Sequence, residues 1–254
     1  MKEGKSERVK VKTVINPKYE PLREWILSIP AHFATQGEVI YDARNQIRMF
    51  TTPDGTKVCV KRFHAPRFLN KYIYLYLRDS KARRAYQNGL YLIAHHVGTP
   101  DPIAYIEEYS GVGLGYSYLI TRLSALKHLH REFTQAYTPA LDATIRPLAR
   151  FAAHMHEEGI LHLDFSPGNI LWDQINGTYQ FEIIDINRMA FGRVSMKAGC
   201  RSLRRLCARS SFFDEFADEY AKARHLDPDQ CRHWIHYYRN RFWHNGRKAR
   251  YQYD

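Results

Sequence analysis

The sequence lacks any apolar run approaching the ~20 residues needed to cross a bilayer, so a membrane-spanning helix is not its organising feature. Cysteine is scarce: Cys59, Cys200, Cys207 and Cys231 are scattered, and none forms a CxxC pair. That excludes a zinc ribbon or a disulfide framework and leads us to expect reduced thiols in a cytoplasm. Acid is also short, with 26 Asp and Glu against 38 Lys and Arg, for a net charge of +12. A surplus of that size suits an anionic partner, whether nucleic acid, anionic lipid or a phosphorylated saccharide. The opening stretch Met1–Arg8 has no apolar run behind it, so no signal peptide is expected. Internal repeats and low-complexity segments are absent.

What is present is material for a core. The 254 residues are 44% hydrophobic and 14% aromatic, enough for one large domain or two small lobes and too much for wholesale disorder. A basic strand-like stretch (Val9, Val11, Val14, Ile15) and a short amphipathic helix near Leu22–Ser28 come first. Glu38–Phe50 alternates as strands do, Pro53-Asp54-Gly55 supplies a turn, and the alternation resumes up to Lys61. Ser80–Ala94 has helical spacing, and two strands are expected to follow around a turn at Ser110–Gly115. The run Gly111-Val112-Gly113-Leu114-Gly115 suggests a phosphate loop, but no helix follows it, so a hairpin turn is the better assignment.

After Leu123 the character changes. Leu141, Ile145, Leu148, Ala152 and Met155 are spaced as the buried face of a long helix ended by Gly159. Asp227-Pro228 opens a last helix with Cys231, Trp234, Ile235 and Tyr238 inward. The expected class is α+β and two-lobed, with a strand-rich N-lobe and a helical C-lobe around a cleft. Its expected parts are a basic extension at 1–32, an N-lobe at 33–123 and a C-lobe at 124–254.

The chemistry concentrates in His162-Leu163-Asp164-Phe165-Ser166-Pro167-Gly168-Asn169 and in Asp185, which ends an apolar strand shortly afterwards. Phosphoryl transfer from ATP needs a cation on the phosphates, oxygen ligands for Mg²⁺ and a carboxylate at the attacking hydroxyl. Lys61, Asp164, Asn169 and Asp185 supply these types in that chain order. Asp164 is the candidate base, Asn169 and Asp185 are the candidate metal ligands, and His162 is the candidate buttress of the loop.

With its H-x-D-x-x-x-x-N loop, the chain resembles the eukaryotic-like kinase superfamily. Several features depart from the protein kinases within it. The metal triplet reads Asp185-Ile186-Asn187, Ser166 stands where a lysine is usual, and no A-P-E motif follows, so protein substrates are disfavoured. Only Gly37 represents the usual glycine-rich nucleotide loop, and the helix carrying Arg83 and Gln87 offers no acid to pair with Lys61.

Taken together, "GEVIYDARNQIRMF", "TPDPIAYIEE", "EEGILHLDFSPGNILW" and "IIDINRMAFG" resemble the bacterial lipopolysaccharide core kinase family (Kdo/WaaP, with InaA-like relatives), over roughly Phe33 to Phe242. The resemblance implies ATP with Mg²⁺ and phosphorylation of a Kdo or heptose hydroxyl on the lipid-linked inner core. It further implies Asp164 as catalytic residue, Lys61 and Gly37 on the nucleotide, and Asn169 and Asp185 on the metal. The implied partner is an anionic, lipid-linked saccharide met in the cytoplasm or peripherally at the inner membrane, with nucleic acid ranked below it. Arg188, Arg193, Lys197, Arg201, Arg204 and Arg205 lie where such an acceptor would approach. The alternatives are a kinase-like ATPase serving tRNA modification, an antibiotic kinase, and a pseudokinase binding module.

Overall fold

Alternating burial builds the first half of the chain. In the computed structural model, which describes residues 9–43, 45–65, 79–110, 113–129, 139–206 and 210–243, two compact units are distinguished. One is Met1–Tyr91 with Pro100–Ser124, and the other is Leu92–Thr99 with Ala125–Asp254. Cys207, Gly111, Val112 and Arg209 fall outside the described residues.

The strands of the first unit are β1 (Lys10–Ile15), β2 (Glu38–Asp42), β3 (Asn45–Thr51), β4 (Lys57–Phe63), β5 (Pro102–Ser110) and β6 (Gly113–Arg122). They form one antiparallel sheet in the order β1-β5-β6-β4-β3-β2. Val58 and Val60 of β4 point into the core and are fully buried, while Lys57 stays exposed, as the period-2 alternation requires. The expected turn is present: the Asp54 carboxylate accepts from the Thr52 hydroxyl and from the Thr56 amide, and Gly55 takes φ +83°.

Helix α1 (Arg23–His32) lays Ile26 and Ile29 against this sheet, joined by Phe33, Phe50, Ile103, Ile106, Tyr118 and Ile120. A 3-10 turn at Pro17–Leu22 leads into it. Asn16 fixes the approach by accepting from the Lys18 amide and donating from its own amide group to the Pro102 carbonyl. Residues 10–32 are therefore integral to the sheet and its core, where the sequence suggested a separate extension. Ile26→Ala would cost about 2–5 kcal/mol, the usual cost of emptying a core position.

The second unit is mostly helical. Its helices are α3 (Pro139–Glu157), α4 (Met196–Ser202), α5 (Ser210–Ala223) and α6 (Pro228–Trp243), and α2 (Lys81–Ala94) contributes its end to the unit. Small strands lie between them: β7 (Lys127–His128), β8 (Ile160–His162), β9 (Ile170–Ile175), β10 (Thr178–Ile183) and β11 (Met189–Phe191). These form the pairings β10-β9-β7 and β11-β8. Leu141, Ile145, Leu148, Ala152 and Met155 are all buried, as their spacing predicts. On α6, Cys231 and Ile235 are buried, whereas Trp234 and Tyr238 are half-buried and stack on each other.

Two sets of close contacts hold elements of this unit together. The Gly98 carbonyl accepts from the Ile183 amide, and the Thr99 hydroxyl donates to the Ile183 carbonyl. A Cβ on Gly98 would stand 2.0 Å from the Phe181 carbonyl oxygen, so only glycine permits this approach. Behind β8, the buried His156 has its Nδ1 2.7 Å from the Tyr220 hydroxyl and its Nε2 3.2 Å from Ser202 Oγ. Ser202 spends its single proton on the Gly199 carbonyl, so His156 donates through Nε2 and accepts at Nδ1. The ring is neutral, and burial lowers its pKa to about 3.

Candidate active site

β8 delivers the chain into the loop His162–Asn169, and buried Phe165 and Pro167 fasten that loop from below. His162 is 1% exposed. Its Nδ1 accepts the Asp164 amide proton at 3.0 Å, which leaves Nε2 to donate to the Ile184 carbonyl at 3.1 Å. Acceptance at Nδ1 requires the neutral imidazole, and burial holds its pKa below the usual value.

Asn169 continues the same arrangement. Its side-chain amide donates to the Asp164 carbonyl at 2.9 Å, so its Oδ1 is the atom turned to other partners. Its own carbonyl accepts from the Ile184 amide at 3.0 Å. Both backbone groups of Ile184 are therefore held by the loop, one by His162 and one by Asn169. The next residue, Asp185, is set beside the loop by that pairing. It sits at φ +58°, a left-handed conformation uncommon outside glycine, Asn and Asp, and one that marks functional positions. Its Oδ1 accepts from the Asn187 side-chain amide at 2.8 Å.

His162, Asp164, Asn169 and Asp185 are thus brought together within the second unit. Arg205 joins them with Nη1 2.7 Å from Asp164 Oδ1, a partner the sequence offered only as one member of a basic run. Of the other cations in that run, Lys197 lies 4.3 Å over the Trp234 ring and Arg204 lies 5.5 Å from Phe242.

Lys61 and Gly37 belong to the first unit. Lys61 is on β4, opposite Ile47 of β3 and Leu119 of β6, with Nζ 5.3 Å from the Phe63 ring. Lys81, in the first turn of α2, lies 6.0 Å from the same ring, and that turn carries no acid. Arg83 is engaged with Asp79 at 2.9 Å. Gly37 stands at the foot of β2, immediately before that strand, and not between β2 and β3. Its φ is +77°, and a Cβ would meet the Met49 carbonyl oxygen and the Phe50 ring at 2.8 Å. Close packing thus explains this glycine without reference to a nucleotide.

The donors suit Mg²⁺, which takes one or two hard protein oxygens and fills its remaining positions with water and phosphate. Asp185 offers a carboxylate and Asn169 an amide oxygen. Among the described residues no cluster of three or more His, Cys, Asp or Glu forms a self-sufficient metal cage.

An antiparallel strand-rich unit, a helical unit, and a loop joining Asp164 and Asn169 to a strand-end Asp185 define a phosphotransferase of the protein-kinase-like class. The profile of the lipopolysaccharide kinase (Kdo/WaaP) family matches residues 36–238, and the chain belongs to that family. Its members are kinases that act on a sugar hydroxyl. Among solved structures the chain is similar to WaaP in complex with acyl carrier protein, at TM-score 0.63 and 19% identity over 91% of this chain and 99% of that one. That likeness carries the fold. In all, 1401 solved chains match, so the fold alone does not choose an acceptor. No curated protein matches the chain. No described helix is long and apolar enough to cross a membrane.

Proposed function

We propose that the chain transfers the γ-phosphoryl group of ATP to a hydroxyl of Kdo or heptose in the lipopolysaccharide inner core. The observation that carries this reading is the double tie of Ile184 to His162 and Asn169, which holds Asp185 against the loop of Asp164. Asp164 orients the acceptor hydroxyl and takes its proton late, as the oxygen–phosphorus bond forms and the bond to the β-phosphate breaks. Asn169 and Asp185 would hold Mg²⁺, which would supply positive charge to offset that of the nucleotide phosphates. Lys61 is the cation for the nucleotide phosphates. His162 keeps the loop in shape through an uncharged ring and carries no proton in the reaction.

The +12 charge supports an anionic acceptor at a lipid surface. The similar WaaP was solved in complex with acyl carrier protein, and a protein partner of this chain would be revealed by co-purification at low salt. The decisive experiment incubates the protein with γ-labelled ATP and purified core lipopolysaccharide, then locates phosphate on the saccharide by mass spectrometry. Label on Kdo or heptose, absent with Asp164→Ala, is the expected result. Salt-sensitive RNA binding with no saccharide label would overturn the acceptor.

A further inference from the structure

The loop His162–Asn169 contains no Lys or Arg, yet its carboxylate meets a cation. Arg205 ends a 3-10 turn, Leu203–Arg205, whose flanking Leu203 and Leu206 are fully buried and fix where the side chain emerges. The guanidinium lies 2.7 Å from Asp164 Oδ1, with its carbon 5.1 Å from the centre of the Phe242 ring. Its Nε is buried without a hydrogen-bond partner. An aromatic ring on one side and a carboxylate on the other restrict a side chain that would otherwise sample many rotamers.

The geometry points to Arg205 as the positioning residue of the catalytic carboxylate, a role that rests on Asp164 being that carboxylate. By engaging Oδ1, it fixes the rotation of the Asp164 side chain and presents Oδ2 to the acceptor hydroxyl. It thereby supplies from a distant turn the positive charge that Ser166 does not bring to the loop. Phe242 holds the guanidinium in place.

Kinetics in wild type, Arg205→Ala, Arg205→Lys and Asp164→Asn, with the double variant Asp164→Asn/Arg205→Ala, test this. Turnover is read both as phosphate transfer to core lipopolysaccharide and as Mg-ATP hydrolysis in water. Arg205→Ala is expected to lose about 10²-fold in kcat, the scale of a misplaced reacting group, with KM for ATP nearly unchanged. Arg205→Lys and added guanidinium ion should each restore part of the loss. In the Asp164→Asn background, removing Arg205 should cost nothing further, because its effect passes through Asp164. Wild-type kcat in Arg205→Ala, or a further loss in the double variant, would overturn the role. If wild type hydrolyses ATP but labels no saccharide, the acceptor reading fails, and the variants are compared on hydrolysis. A readout free of turnover is ¹⁵N NMR of the guanidinium. The Arg205 Nη signals should be resolved in wild type and collapse in Asp164→Asn, and identical spectra in both would overturn the ion pair.

Discussion

The two units hold their candidate site residues by different means. In the second, Asp164, Asn169 and Asp185 are fixed by buried hydrogen bonds through His162 and the Ile184 backbone. In the first, Lys61 is fixed by strand register between Ile47 and Leu119, beside a helix that begins with Lys81 instead of an acid. The contrast teaches that the loop tolerates little variation, whereas the lysine rests on a sheet that would hold many residues at that position.

Asp164→Asn is the harshest test of the loop. Transfer should fall about 10²–10⁴-fold, the usual worth of a positioned base, while the melting temperature barely moves because the ion pair with Arg205 is a third exposed. A large loss of stability would mean that the carboxylate is part of the scaffold. His162→Ala should act on both properties. It strands the Asp164 amide and the Ile184 carbonyl, so denaturant unfolding should show a loss of about 2–4 kcal/mol alongside reduced turnover. Unchanged unfolding would erase the contrast between the units.

On the sheet side, Lys61→Met should lower kcat/KM for ATP about 10- to 100-fold, equivalent to one charge-assisted hydrogen bond, and leave folding intact. Arg83→Ala should leave ATP kinetics unchanged, since that guanidinium serves Asp79. The buried imidazoles give the second unit a pH signature. With the pKa of His156 depressed to about 3 in the fold, the unfolded chain binds the proton first as pH falls below 6.5. Stability is complete above that point and should decline by about 1.4 kcal/mol per pH unit toward pH 3. Equilibrium unfolding at several pH values, repeated with His156→Phe, should show a flatter dependence in the variant. The smallest effect is expected for Arg146→Ala on α3, whose exposed contact with Glu215 is worth less than about 1 kcal/mol by urea unfolding.

Much of this was legible where side chains speak for themselves. The buried stripe of α3, the Asp54-Gly55 turn and the loop from His162 to Asn169 each follow from residue type and spacing. Less legible were features made by chain segments far apart in sequence. Residues 10–15 join the sheet only because β5 lies ready to pair with them, and no local pattern announces that partner. The span Leu92–Thr99 sides with the second unit through β10, although it precedes two strands of the first. Cys200 and Cys231 are scattered in sequence, yet the Cys200 thiol lies 3.9 Å from the Cys231 carbonyl. Arg205 could be read only as one basic residue among six, because its meaning depends on a carboxylate that the fold brings to it. Gly37 shows a further limit: the sequence offered it for the nucleotide, and only the fold shows that the Phe50 ring and the Met49 carbonyl leave no room for a Cβ there.

Ile184 is the quiet member of the site. Its contribution comes from its peptide groups, so replacing its side chain with Val or Leu would leave both ties in place, and an alanine scan would pass over it. Only an edit to the main chain reaches it: proline, which deletes the N–H that Asn169 receives, or an ester in place of the amide. Position 184 can therefore drift among apolar residues while both main-chain ties persist, and searches keyed to side-chain identity will not record what has been kept.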